Sequence, residues 1–130
     1  MTNHVKILTD LSACRAAREW TAQQRGSAQA IWSRCDRADW MLWYATRCSG
    51  RRGSALHRAV VVAACACART ALRFVPAGET RPLAAIELAE RWARGDASIT
   101  VRMLRQAAYA AYAAYAAAPP PPPAYAAANA

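Results

Sequence analysis

A chain of 130 residues, 55% of them hydrophobic, is long enough for one domain that buries roughly two-thirds of its extended-chain surface and too short to be read as several. Seventeen Lys and Arg against eight Asp and Glu give a formal charge of +9, which draws nucleic acid, anionic membrane or an acidic protein and disfavours a basic one. The apolar run at 59–68 is bounded by Arg58 and Arg69; with no stretch reaching the about 18 consecutive apolar residues of a spanning helix, a soluble chain with no membrane partner is expected.

The helical signals begin at SACRAAREW, where Ser12 reads as an N-cap, and resume after Gly26 at SAQAIW with Ser27 in the same role. DRADWMLWYATRC starts a third helix. Asp36 stands at its N-cap position and Asp39 three residues on, where the helix dipole favours carboxylates, so these acids read as caps and not as a catalytic pair. At about 100° per residue, Trp40 and Trp43 share one face with Tyr44 nearby, while Met41, Leu42 and Ala45 lie opposite. A helix apolar nearly all round is either sandwiched in the core or turns one face to an interface.

After the loop SGRRG, Ser54 is expected to cap a longer helix reaching about Val75. Its middle, AVVVAACACA, has no polar side chain except thiols and reads as the central buried helix. Arg58, Arg69 and Arg73 fall within a roughly 60° arc near its ends, as a solvated fringe or a phosphate clamp. In VPAGETRPLAAIELAERWARG, Pro76 and Gly78 make a turn, Thr80 caps, Pro82 sits in the first turn and Gly95 ends the helix. Glu87 with Arg91, and Glu90 with Arg94, are spaced for i,i+4 ion pairs.

The last helix starts at Ser98 or Thr100 and runs through AAYAAYAAYAAA to the proline block at Pro119. Tyr109, Tyr112 and Tyr115 drift about 60° per step. They either lie against neighbouring helices with their hydroxyls at the edge or form a stacking or docking surface. The five prolines and the residues beyond read as a spacer or flexible tail. The expectation is thus an all-α chain: a five- or six-helix bundle over 1–118 as a single domain, with a disordered Ala/Pro-rich tail over 119–130.

Five cysteines, Cys14, Cys35, Cys48, Cys65 and Cys67, are an odd number, and no apolar N-terminal stretch of signal-peptide type precedes them. A reducing cytoplasm, that of a bacterial cell or a phage-infected host, is the expected compartment. Cys65 and Cys67 point roughly 200° apart on a helix and read as small core residues, not as a metal pair. His4 and His57 are the only imidazoles, and neither has zinc-ligand spacing from a cysteine pair, so no metal and no cofactor are expected. There is no Gly-rich phosphate loop, GxSxG, HExxH or CxxC, and the residues argue against an enzyme.

The stretches DWMLWYA, AACACARTAL and RPLAAIELAERWARGD, followed by an Ala-rich helix, resemble a family of small all-helical immunity proteins of bacterial polymorphic-toxin loci. Similar Ala/Tyr-tailed chains occur as phage proteins. The resemblance covers residues 36–115. It implies an all-helical fold and the binding and neutralising of another protein, and it carries over no catalytic residue. The expected function is therefore a non-enzymatic protein that sequesters or inhibits a toxin or defence component through Trp40, Trp43, Tyr44 and Arg47. Two alternatives remain at the level of the sequence. One is a nucleic-acid or nucleotide binder using Arg51, Arg52 and Arg58 with Tyr109, Tyr112 and Tyr115; sixteen of the seventeen cations are Arg, which suits phosphate recognition, although codon bias gives the same excess. The other is a small structural protein that assembles through the Ala/Tyr helix.

Overall fold

Side-chain caps set most of the helix starts in the computed structural model, which describes residues 2–118. The Val5 N–H donates to Thr2 Oγ1 at 3.4 Å, the Ala30 N–H to Ser27 Oγ at 3.2 Å, the His57 N–H to Ser54 Oγ at 3.1 Å and the Met103 N–H to Thr100 Oγ1 at 3.2 Å. Among the described residues the fold is all-helical, with seven α-helices, one 3-10 turn and no strand. In order these are α1 (Asn3–Asp10), α2 (Arg15–Ala22), α3 (Ala28–Arg34), α4 (Ala38–Cys48), α5 (Ala55–Ala71), the 3-10 turn Leu72–Phe74, α6 (Arg81–Ala93) and α7 (Val101–Ala117). The helix beyond the expected six is α1. The proline run and the tail predicted around it lie outside the described residues.

Two expected starts fall elsewhere, and a third stands at its expected residue without the expected capping bond. Ser12 is a helix stop: it adopts φ 62°, its N–H donates to Thr9 O at 2.9 Å, and the Ala13 N–H donates to Leu8 O at 2.8 Å. This is the pair of bonds that closes a helix on a left-handed residue, and α2 then starts from Cys14 with no side-chain cap. Asp36 does not cap α4, whose N-cap is Arg37. Asp39 instead accepts two guanidinium N–H bonds from Arg37, at 2.9 and 2.7 Å. Thr80 precedes α6 but makes no capping bond; Glu79 takes that part, its carboxylate accepting from the Arg81 N–H at 3.1 Å and from the Arg81 guanidinium at 2.9 and 2.7 Å.

The helices fall into two compact units that divide between Ala64 and Cys65, inside α5. In the first, α1 packs on α2, and the most buried apolar residues are Ala13, Ala17 and Ile31. In the second, α6 and α7 pack along their length. The covered side of α7 is Leu104, Ala107, Ala110, Ala111 and Ala114, an alanine face that lets two helices approach closely, and Ile86 is the buried residue of α6. Arg69 clamps Glu90 by two bonds of 2.7 Å, and Arg91 reaches Asp96 at 2.9–3.0 Å. These partners replace the expected pairs Glu90 with Arg94 and Glu87 with Arg91. In the pair of Arg69 with Glu90 a planar guanidinium meets both carboxylate oxygens in two parallel bonds, a stronger arrangement than a single i,i+4 contact, whereas Arg91 places both of its bonds on one oxygen, Asp96 Oδ2.

The centre of α5 is not a buried core. Only Cys65 is buried on this helix, its thiol donating to Ile86 O at 3.8 Å, while Leu56 and Val62 are 57% and 48% exposed. Cys67 is exposed as well, against the expectation for a core cysteine. Alanine, valine and cysteine surround this helix on all sides, so its composition does not reveal which side neighbours cover. Together with the 3-10 turn, α5 makes a 20-residue helical stretch, Ala55–Phe74, long and apolar enough by length and composition to cross a membrane. That departs from the expectation of no such segment, because isolated arginines interrupt the apolar run without lowering its average enough.

Candidate functional site

Four of the five tryptophans lie between residues 20 and 43, and the first unit brings all four to one groove of about 490 Å³. Trp20 comes from α2, Trp32 from α3, and Trp40 and Trp43 from α4 together with Tyr44. The rings meet in two pairs. Trp20 and Trp40 stand edge to face with centroids 6.2 Å apart and planes at 61°; Trp32 and Tyr44 are tilted at 54° with centroids also 6.2 Å apart. Both are separations at which aromatic quadrupoles attract. Ala17 and Ile31, both buried, and Met41 add aliphatic surface, and α1 contributes His4, Ile7 and Leu8 to the lining.

The helix that dominates the groove is neither core nor plainly solvated. No residue of α4 is buried, yet Trp40 to Ala45 are all half-covered. The two outcomes foreseen for an apolar helix therefore merge: α4 has packing on its flanks and an open aromatic side. Met41, expected opposite the tryptophans, lines the same groove as they do, because the groove spans more of the helix circumference than a single ridge.

Charge at the rim is mostly neutralised or stacked. The Arg37 guanidinium lies 4.4 Å above the Trp40 ring while bonded to Asp39, and Arg47 lies 5.4 Å from the Trp43 ring centre. In both, the cation is attracted to the negative face of the ring. Its hydrogen bonds to Arg37 hold the Asp39 carboxyl below the usual aspartate range. The Tyr44 hydroxyl is pushed above its ordinary value, first by its hydrogen bond with Cys48 and then by burial. The polar groups in the lining are the paired Arg37 and Asp39, the buried Thr21, His4, the Tyr44 hydroxyl and the thiols of Cys14 and Cys35. Among the described residues, no hydrogen bond joins His4 to either thiol, and no three His, Cys, Asp or Glu side chains come together at metal-binding distance.

The structure thus gathers Trp40, Trp43 and Tyr44 at one site and leaves Arg47 beside it, stacked on Trp43. Sequence reasoning missed Trp20 and Trp32, whose signal was the crowding of tryptophans before residue 44. Arg51 and Arg52 stand exposed on the loop between α4 and α5. Arg58 is turned back on that loop, its Nε donating to Gly53 O at 3.0 Å, and the Gly53 N–H donates to His57 Nδ1 at 3.1 Å. Of the arginines read as a solvated fringe or a phosphate clamp, Arg69 is committed to Glu90 and Arg73 lies 4.7 Å from the Phe74 ring centre, which supports the fringe and not the clamp. Tyr109, Tyr112 and Tyr115 belong to the second unit and are 73%, 70% and 79% exposed, so the reading in which their rings lie against neighbouring helices is overturned. Alanine fills the covered side of α7, and a helix that packs through alanine has no room for rings on that side.

Set against protein-family models, characterised proteins and solved structures, the chain matches none.

Proposed function

We propose that this chain is a non-enzymatic helical-bundle protein that binds and sequesters another protein, the partner inserting apolar side chains into the aromatic groove of the first unit. The observation that carries this reading is the groove itself: tryptophan, tyrosine and arginine, the residues most enriched at binding hot spots, converge on one open concavity. Its volume lies within the about 300–1,000 Å³ range that engulfs a compact ligand group, which suits anchoring side chains better than a flat contact. A lining dominated by ring faces, whose one carboxylate is tied to Arg37, favours binding over activation of a substrate. The resemblance of residues 36–115 to immunity proteins supports the same reading. The net charge of +9 favours an acidic partner and would speed its encounter.

The nucleic-acid reading keeps one supporting observation, the exposed pair Arg51 and Arg52. The two readings separate by substitution. Trp43→Ala and Tyr44→Ala are each expected to weaken partner binding by about 2 kcal/mol, roughly 30-fold, with helicity by circular dichroism unchanged. Binding that instead follows neutralisation of Arg51 and Arg52, and falls steeply with salt, would move the activity to the loop. Loss of helicity in both groove variants would make α4 a packing element only.

A further inference from the structure

The lining of the aromatic groove is rich in hydrogen-bond donors and poor in acceptors. An indole offers one N–H and accepts nothing. Among the described residues, none of the indole N–H groups of Trp20, Trp32, Trp40 and Trp43 has a hydrogen-bond partner. Arg18 Nε is the only described buried side-chain nitrogen or oxygen left unpaired, so the N–H groups of the half-covered Trp20, Trp40 and Trp43 are open to water. On the acceptor side, the Asp39 carboxylate already takes two bonds from Arg37, and Thr21 is buried. The ring faces differ as well. Arg37 stands over Trp40 and Arg47 over Trp43, whereas among the described residues no cation stacks on Trp32 or Tyr44, which pack on each other. Trp32, 42% exposed, is the most open of the four indoles.

This balance of donors and acceptors discriminates between kinds of incoming segment. A helix spends its backbone carbonyls on its own turns, so it would strip water from the indole N–H groups without replacing it. An ordinary extended segment brings a backbone N–H at nearly every residue and finds few acceptors here. A proline has no N–H, and a polyproline II segment makes no internal hydrogen bonds, so all of its carbonyls are free to accept. Its rings are apolar and its backbone is ordered before it binds, which lowers the entropy lost on docking in an aromatic-lined groove.

We propose that the segment entering the groove is a proline-rich, extended one. Its rings pack on Trp32 and Tyr44, and its carbonyls accept from the indole N–H groups of Trp20, Trp40 or Trp43. This rests on the groove being the binding site and names the class of segment that fills it. The net charge of +9 favours acidic residues beside the prolines.

The test is isothermal titration calorimetry with two synthetic peptides, EEPPPPPEE and EEAAAAAEE, capped at both ends. The alanine peptide keeps the carbonyls and the charge but restores the N–H groups. The chain has its own prolines at 119–123, so the protein titrated is the full-length chain with these five replaced by serine, which leaves no proline run to compete. The proline peptide is expected to bind below about 1 mM and at least about tenfold more tightly than the alanine peptide. Trp32→Ala should weaken it about tenfold or more. Replacing Trp20, Trp40 or Trp43 singly by phenylalanine keeps a ring and removes the N–H, and at least one of these changes should weaken binding about fivefold. Circular dichroism checks helicity, and the comparison of the two peptides stands even where a variant fails to fold.

No binding of the proline peptide, equal binding of both peptides, or indifference to Trp32→Ala would overturn the proposal. Indifference to all three phenylalanine variants would overturn the role of the indole donors. Should the proline peptide fail while Trp43→Ala still loses the native partner, the groove stands and only the proline class falls. A native partner retained by Trp43→Ala would overturn the groove itself.

Discussion

Ser12 carries a left-handed backbone, φ 62°, at the place in a helix stop where glycine has no steric penalty. Ser12→Gly is therefore expected to stabilise the protein by up to about 1 kcal/mol, read as a rise in Tm; an unchanged or lowered Tm would show that the serine side chain contributes there. Gly95 meets the same demand at the end of α6. Its φ is 93°, its N–H donates to Trp92 O at 3.0 Å, and the Asp96 N–H donates to Arg91 O at 3.1 Å. Gly95 was legible in the sequence because glycine is the ordinary residue for that backbone. Ser12 was not, because a serine before a helical pattern also reads as a start, and only the hydrogen bonds tell the two apart.

At the same scale, Glu79 couples helix α6 to pH. Bonds from the Arg81 side chain, then from the Arg81 N–H, hold its carboxyl at about 2, below the ordinary 4.5. A carboxyl depressed in the folded state adds stability that is complete above its unfolded pKa and is lost as pH falls through the folded one. The stabilisation is thus present above pH about 4.5 and gone below pH about 2. Glu79→Gln is expected to lower Tm at neutral pH and to flatten its fall across that window; a variant whose acid limb matches the parent would exclude this role. Asp39, Glu90 and Asp96 are shifted in the same direction, each first by a hydrogen bond, from Arg37, Arg69 and Ser98 respectively.

Between helices, the register of α7 on α6 is the feature most open to test. Ala114 is buried and Ala113 is exposed, though the two are neighbours of one type. Ala114→Leu should force the helices apart at a cost of about 1–3 kcal/mol, whereas Ala113→Leu should change stability by no more than about 0.5 kcal/mol. Equal effects in thermal unfolding would mean that the covered side of α7 is a different one. The existence of six of the seven helices was readable from caps, prolines and glycines. Which side of α5 or α7 is covered was not, because alanine and small apolar residues fill both sides and leave no periodic contrast to read. The same lack of contrast led the central run of α5 to be read as core. α1 escaped notice because it is short, eight residues, and is opened by a threonine at the second residue of the chain.

For the molecule as a whole, exposed aromatic rings gather in two places, one in each unit. The groove of the first unit is built of rings with a stacked or paired arginine at its rim, and the uncharged outer side of α7 belongs to the second unit, each unit presenting its own apolar surface. The sequence pointed to α4 and its aromatic residues, since Trp40, Trp43 and Tyr44 stand close together along one helix. It could not bring Trp20 and Trp32 to them, because they come from other helices and their approach depends on how α2 and α3 pack. No motif names the partner. Recognition by ring faces leaves no fixed spacing of chemical groups, which is why a binding protein is harder to read from sequence than a metal site or a phosphate loop.

Native mass spectrometry bears most directly on the central claim, applied with an ultraviolet absorbance ratio for nucleic acid to the tagged parent and the Trp43→Ala variant, each purified gently from the native host. The expected result is a second protein at fixed stoichiometry on the parent, with no bound nucleic acid, and its loss from a Trp43→Ala chain that keeps its helicity. Nucleic acid or a nucleotide mass on the parent, or a protein complex that persists unchanged in Trp43→Ala, would contradict the groove as the binding site.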